Sequence, residues 1–296
     1  MMPWPTDPNS SSHMKKMLPT SILAGVLLAT SCTNKHGVDN ATPVTPLRLE
    51  RKVITELFGP DCGLRDTLRA DCAEVRLRYP ALAAGPDACR TSVESWAEDF
   101  LRTMVYGGVA PDERVPLVEA IGAFFRNQSA AAAEFSGFPA YHLVETSDTV
   151  LHNDGRFLTL RMDGYANTGG NHPHASAALA TWEVATGRRL ALADMVTDLS
   201  ALSVLAEQRF REVKADVFRP ESDGGWGFDF SEQQPFRLAA NVGMTAEGLH
   251  FCYVPYEVAS YAFGFTEFVL DWQELDALLT PTIQEYGSLS AHPDSQ

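Results

Sequence analysis

Two short segments hold the side chains best suited to chemistry. The first, TGGNHPHA at 168–175, places His172 and His174 two residues apart behind paired glycines. On a strand that spacing points both imidazoles to one face, where they can poise a proton or bind a metal. A metal would need a third ligand from afar, Asp163 or Glu257 by residue type. The plainer alternative has one histidine bonding backbone groups to hold the loop while the other is solvated. The second segment, VPYEVASYAFG at 254–264, interleaves Tyr256 and Tyr261 with one carboxylate, Glu257. Aromatic rims beside a hydrogen-bonding acid suit glycan or peptide recognition. Tyrosines packed on a sheet with satisfied hydroxyls are the competing reading. Together with Tyr165, the candidate ligand-binding set is Tyr165, His172, His174, Tyr256, Glu257 and Tyr261. Trp226, Phe228 and Phe230 form a further aromatic group in a glycine-rich stretch.

Catalytic signatures are missing. No G-x-S-x-G elbow, H-E-x-x-H pair, phosphate-binding loop or dinucleotide fingerprint occurs, so no catalytic residue, cofactor or metal is assigned. The enzymatic alternative is a peptidoglycan- or glycan-directed hydrolase or esterase built on His172, His174 and Glu257. Net charge is −15, which excludes the Lys/Arg stripe that nucleic acid demands and disfavours docking by charge on anionic lipid. An acidic surface does suit a basic protein partner. Hydrophobic content of 45% is that of a folded globular chain.

Location follows from MKKMLPTSILAGVLLATSC at 14–32. Lys15 and Lys16 precede an uncharged, mostly apolar run too short to span a bilayer, and small residues lead straight to Cys32. This is the pattern of a bacterial lipoprotein signal, with residues 1–31 removed and lipid attached at Cys32. The start codon is Met1 or Met14. The expected location is the cell envelope, lipid-anchored, on the periplasmic or outer-membrane side. Export to an oxidising compartment makes the other four cysteines disulfide candidates, with three possible connectivities. Cys62 and Cys72 end two strand-like runs and form the local choice, which leaves Cys89 with Cys252.

The elements that position these residues read as α+β, with antiparallel sheets built from hairpins and with grouped helices. Residues 32–46 form a polar, Pro-containing tether. RKVITELF and AEVRLRY alternate as strands, and SVESWAEDFLRTMV puts Val93, Trp96, Phe100 and Met104 on one helical face, with Thr91 and Ser92 as possible caps. A second helix follows Pro116. Turn signals at Asn153-Asp154-Gly155, Thr186-Gly187 and Glu247-Gly248 join further strands. Leu202, Leu205, Ala206, Phe210 and Val213 form the stripe of a later helix. Residues 281–296 lack apolar period and read as a loose tail.

Tyr165, the Thr168-Gly169-Gly170-Asn171-His172 turn, Thr186-Gly187-Arg188, Tyr256-Glu257 and Tyr261 with Gly264 occur in an order that resembles the C-terminal domain of RsiV, an extracytoplasmic anti-sigma factor, and of PdaC-type peptidoglycan deacetylases. The resemblance spans about Leu143 to Leu278. It implies a two-part architecture: a small strand-strand-helix-helix part at 47–140, then an RsiV-like α+β part at 141–280. It also implies a module that senses or binds a cell-wall-associated ligand or a basic envelope protein such as lysozyme. Neither the sigma-binding nor the deacetylase activity is expected to carry over.

Overall fold

The six strands of the larger sheet follow the chain in order, β1-β2-β3-β4-β5-β6. β1 (Leu49–Phe58) and β2 (Asp71–Leu82) run antiparallel, and Cys62–Cys72 bridges their connected ends with Cα atoms 5.0 Å apart. Two helices, α1 (Asp87–Val105) and α2 (Leu117–Glu134), then carry the chain across to β3 (Ala140–Asn153), which pairs with β2 in parallel. β4 (Phe157–Asn167), β5 (His174–Glu183) and β6 (Arg188–Leu190) continue as antiparallel hairpins. The β3–β4 turn is closed by Asp154, whose Oδ1 accepts from the amides of Arg156 and Phe157. This computed structural model describes residues 45–62, 71–108, 114–134, 140–169, 172–215, 235–258 and 261–290. The stretch read as an export signal, Cys32, most of the expected tether, and Trp226, Phe228 and Phe230 lie outside those residues.

After the short α3 (Leu192–Met195) comes α4 (Leu199–Val213), capped by Asp198, whose carboxylate accepts from the amides of Ser200 and Ala201. A three-stranded antiparallel sheet follows: β7 (Asn241–Met244), β8 (Gly248–Tyr253) and β9 (Thr266–Asp271). The chain ends in α5 (Trp272–Leu275) and α6 (Pro281–Ser290).

Side-chain alternation on β5 fixes how the layers stack. Ala180 and Trp182, with Val184 just past the strand, join Val93, Trp96, Phe100 and Met104 of α1 in one core, as the α1 stripe requires. Ala177 and Leu179 face the opposite way and meet Cys252 of β8. The far side of the smaller sheet, with Phe251, Tyr253 and Phe268, packs on Leu202, Ala206 and Phe210 of α4. Val213, expected in that stripe, is 45% exposed at the helix end. The order is therefore α1 and α2, larger sheet, smaller sheet, α4. The described residues form one compact unit, and the segments 47–140 and 141–280 are joined in it by the β2–β3 pair.

Three expectations need correction. Cys89 and Cys252 are buried free thiols, because Cys89 lies in the α1-side core and Cys252 on the other face of the larger sheet. Residues 281–290 are helical rather than loose: Ile283 and Tyr286, one turn apart, drop into the α4-side core, and the Tyr286 hydroxyl lies 2.7 Å from His152 Nε2. Finally, α1 begins at Asp87 behind Pro86, one turn before Thr91 and Ser92, which sit within the helix. Among the described residues no helix is long and apolar enough to cross a membrane.

A polar cluster ties the two sheets together. Arg161 of β4 donates to Asp163 at 2.8 Å and to Glu267 of β9 at 2.5 Å, and His250 of β8 lies 2.9 Å from Glu267. The His250 hydrogen bond, against burial and with Arg161, pulls the Glu267 carboxyl down to about 2.

Candidate functional site

The connection after β4 and the connection after β8 lie together and bring His172 between two tyrosines. The His172 ring stacks on Tyr261, with centroids 4.1 Å apart and planes 21° from parallel. Its Nε2 lies 2.7 Å from the Tyr256 hydroxyl, and its Nδ1 lies 2.9 Å from the Pro173 carbonyl. A carbonyl can only accept, so Nδ1 carries the proton. In the neutral ring Nε2 is then the acceptor, and the Tyr256 O–H donates to it. His172 and Tyr256 are both exposed, Tyr256 by 62%.

Tyr256 holds a backbone conformation that side chains avoid. Residues Val254 to Glu257 form a β-turn in which the Glu257 amide donates to the Val254 carbonyl at 3.1 Å. Pro255 takes the second position, and Tyr256, with φ of 72°, takes the third, where glycine or asparagine is usual. Among the described residues it is the one non-glycine with positive φ. The turn is clamped by Glu257, whose Oε1 accepts from Ala240 N at 2.6 Å and whose Oε2 accepts from Val254 N at 3.0 Å.

Glu257, expected to contact a ligand, thus holds the loop that presents Tyr256. Tyr165 on β4 lies across from Glu145 and near Tyr261, and burial together with those two neighbours raises its hydroxyl pKa, so it stays protonated. His172 and His174 do not share a face, because His172 precedes the strand while His174 opens it. His174 pairs with Ala166 and packs under the end of α1, where a Cβ on Gly108 would fall 2.3 Å from its Nε2. Burial, with His172 nearby, lowers its pKa. The site therefore unites His172, Tyr256 and Tyr261, with Tyr165 adjoining; His174 and Glu257 serve as supports.

Asp163, the conceivable third metal ligand, is engaged by Arg161. Among the described residues no group of three or more His, Cys, Asp or Glu is placed to hold a metal. One residue that sequence reasoning passed over is His142 on β3, only 7% exposed, whose Nδ1 has no hydrogen-bond partner among the described residues. It lies under Gly169, the first glycine of the histidine loop, and burial lowers its pKa. Nothing in YHLVETSDTVLH marked it.

What the geometry offers is a shallow aromatic wall with one phenol, one imidazole and a second tyrosine face. It provides stacking surface and directional hydrogen bonds.

Solved structures that share the fold include two DUF3298 family proteins. A DUF3298 family protein from Pseudomonas aeruginosa aligns over 81% of this chain and 97% of its own, with 19% identity and a TM-score of 0.56. A member of the same family from Bacteroides fragilis aligns over 86% of this chain and 100% of its own, with 14% identity and a TM-score of 0.59. No curated protein matches the sequence. The family model described as a protein of unknown function, DUF3298, matches residues 193–273, a stretch that runs from α3 to α5 and includes Tyr256, Glu257 and Tyr261. Residues 193–273 are thus the part of the chain whose sequence is similar to the DUF3298 family.

Proposed function

We propose that this chain is a non-catalytic binding module of the bacterial cell envelope, lipid-anchored at Cys32 and similar in kind to the RsiV and PdaC C-terminal domains. Its ligand is cell-wall-associated, with sugar rings stacking on Tyr256 and Tyr261 and hydrogen-bonding to the His172 side. The observation that carries this reading is Tyr256: exposed, strained, and held in place by both oxygens of Glu257. The same clamp weakens the hydrolase alternative, since it removes the carboxylate on which that chemistry relied. The net charge of −15 supports a second kind of ligand for the same module, a basic protein such as lysozyme.

Binding of the purified protein to insoluble peptidoglycan tests the proposal. Tyr256→Ala should lower retention about tenfold or more, as truncating an aromatic anchor does. Unchanged retention in that variant removes the aromatic platform. Capture of lysozyme that weakens with added salt would identify the protein ligand, and failure to bind either material refutes the proposal.

A further inference from the structure

A cleft of about 710 Å³ lies along the opposite end of α1 from Gly108. One wall is a flank of the first four turns of α1, with Thr91, Ser92, Ser95, Asp99 and the edge of the core residue Trp96; the other carries Arg189 of β6. Gly187 sets the two walls together, since the backbone of Ala88 and Cys89 passes where a Cβ would stand. Arg189 pairs across the strand with Trp182, which faces the α1 core, so it is directed toward the helix. Its guanidinium has no hydrogen-bond or ion-pair partner among the described residues.

The acceptor side of two serine hydroxyls in this cleft is already used. Ser92 Oγ accepts from the Trp182 indole N–H at 3.0 Å, and Ser95 Oγ accepts from Arg114 at 3.1 Å. Neither serine donates to a described group, so each keeps its O–H hydrogen for a ligand. The carboxylates are already matched: Asp99 accepts from Arg114 at 2.6 Å and from Arg102, while Asp87 pairs with Arg90 at 2.6 Å. Burial works to raise the Asp99 pKa, but the hydrogen bonds from Arg114 and Arg102 hold it below the usual range, so it remains an ion inside its own cage. What remains unmatched among the described residues is one guanidinium and the hydroxyl hydrogens of Thr91, Ser92 and Ser95, a donor-rich pocket in a chain of net charge −15.

We propose that this cleft is a second binding site, for an acidic sugar: a hydroxylated ring bearing a carboxylate that pairs with Arg189. Its volume suits one or two rings, and the forked guanidinium suits a planar carboxylate. This site does not depend on the Tyr256 platform.

Glucuronate titrated into the purified full chain, followed by amide NMR shifts, tests it with glucose as the neutral control. Glucuronate should move resonances of residues 87–99 and 188–190 and bind about tenfold or more tightly than glucose. Arg189 is exposed and unpaired, so Arg189→Ala should fold normally and bring glucuronate down to the level of glucose. Ser95→Ala should weaken glucuronate in the same direction, while Tyr256→Ala should leave the glucuronate shifts of residues 87–99 and 188–190 as they are. Absence of shifts in α1 and β6, equal binding of the two sugars, or full glucuronate binding in Arg189→Ala overturns the proposal.

Discussion

Glu267→Gln probes the polar link between the sheets, and the structure sets both the size and the pH dependence of its effect. Glutamine keeps the shape and one acceptor for His250 while removing the charge that faces Arg161. The Glu267 carboxyl stands at about 2 against an ordinary 4.5. At full strength that difference is worth about 3.4 kcal/mol. The side chain is 32% exposed, so solvent screening reduces the figure to about 1.5–2 kcal/mol. The folded pKa lies below the unfolded one, so this contribution is complete above about pH 5 and disappears as pH falls toward 2. By pH 3 about two-fifths of it should remain. Urea unfolding of wild type and Glu267→Gln at pH 7, 5, 4 and 3 reads the difference directly. A gap that stays constant from pH 7 to pH 3, or widens on acidification, would refute the assignment of Glu267 as the paired ion of this cluster.

The strained turn makes an unusual ordering of variants. Tyr256→Gly should be more stable than Tyr256→Ala by about 1 kcal/mol, the reverse of the usual ranking, because only glycine relaxes at positive φ; thermal unfolding of the two decides it, and an alanine variant equal or better contradicts the strain. Alkylation of the unreduced, denatured protein followed by mass spectrometry should label Cys89 and Cys252 and recover a linked Cys62–Cys72 peptide. Reducing that bridge should cost about 2.5–3 kcal/mol. A Cys89–Cys252 peptide would contradict the layer order.

Features decided by local chemistry were legible in the sequence. The Asn153-Asp154-Gly155 and Thr186-Gly187 turns lead into antiparallel pairs as expected, because an Asx turn and a positive-φ glycine are decided within a few residues. The α1 stripe was equally readable from its period. Pairings across layers were not. Elimination joined Cys89 to Cys252, but which face of a sheet each thiol occupies depends on strand order, and the parallel β2–β3 pair spans two helices. For the histidines the period-two rule failed at a boundary: β5 begins at His174, so His172 is free to turn toward Tyr261. Glu257 was picked for its residue type, whereas the informative signal was Val-Pro-Tyr-Glu, with proline at the second turn position and a tyrosine where glycine is usual.

That tyrosine sharpens the functional argument energetically. A bulky residue in the left-handed region costs about 1–2 kcal/mol. Burial of an aromatic ring would offset this easily, but Tyr256 is 62% exposed, and its hydrogen bond to exposed His172 returns only about 0.5–1.5 kcal/mol. The two amides that Glu257 binds would be held equally well around a Pro-Gly turn, so the clamp does not require a tyrosine. With its ring contacts to His172 and Tyr261 the tyrosine roughly offsets that strain, so folding alone gives no strong reason for an aromatic ring at this position. A ligand stacking on a ring already fixed in place supplies one, because immobilising the side chain beforehand lowers the entropy lost on binding.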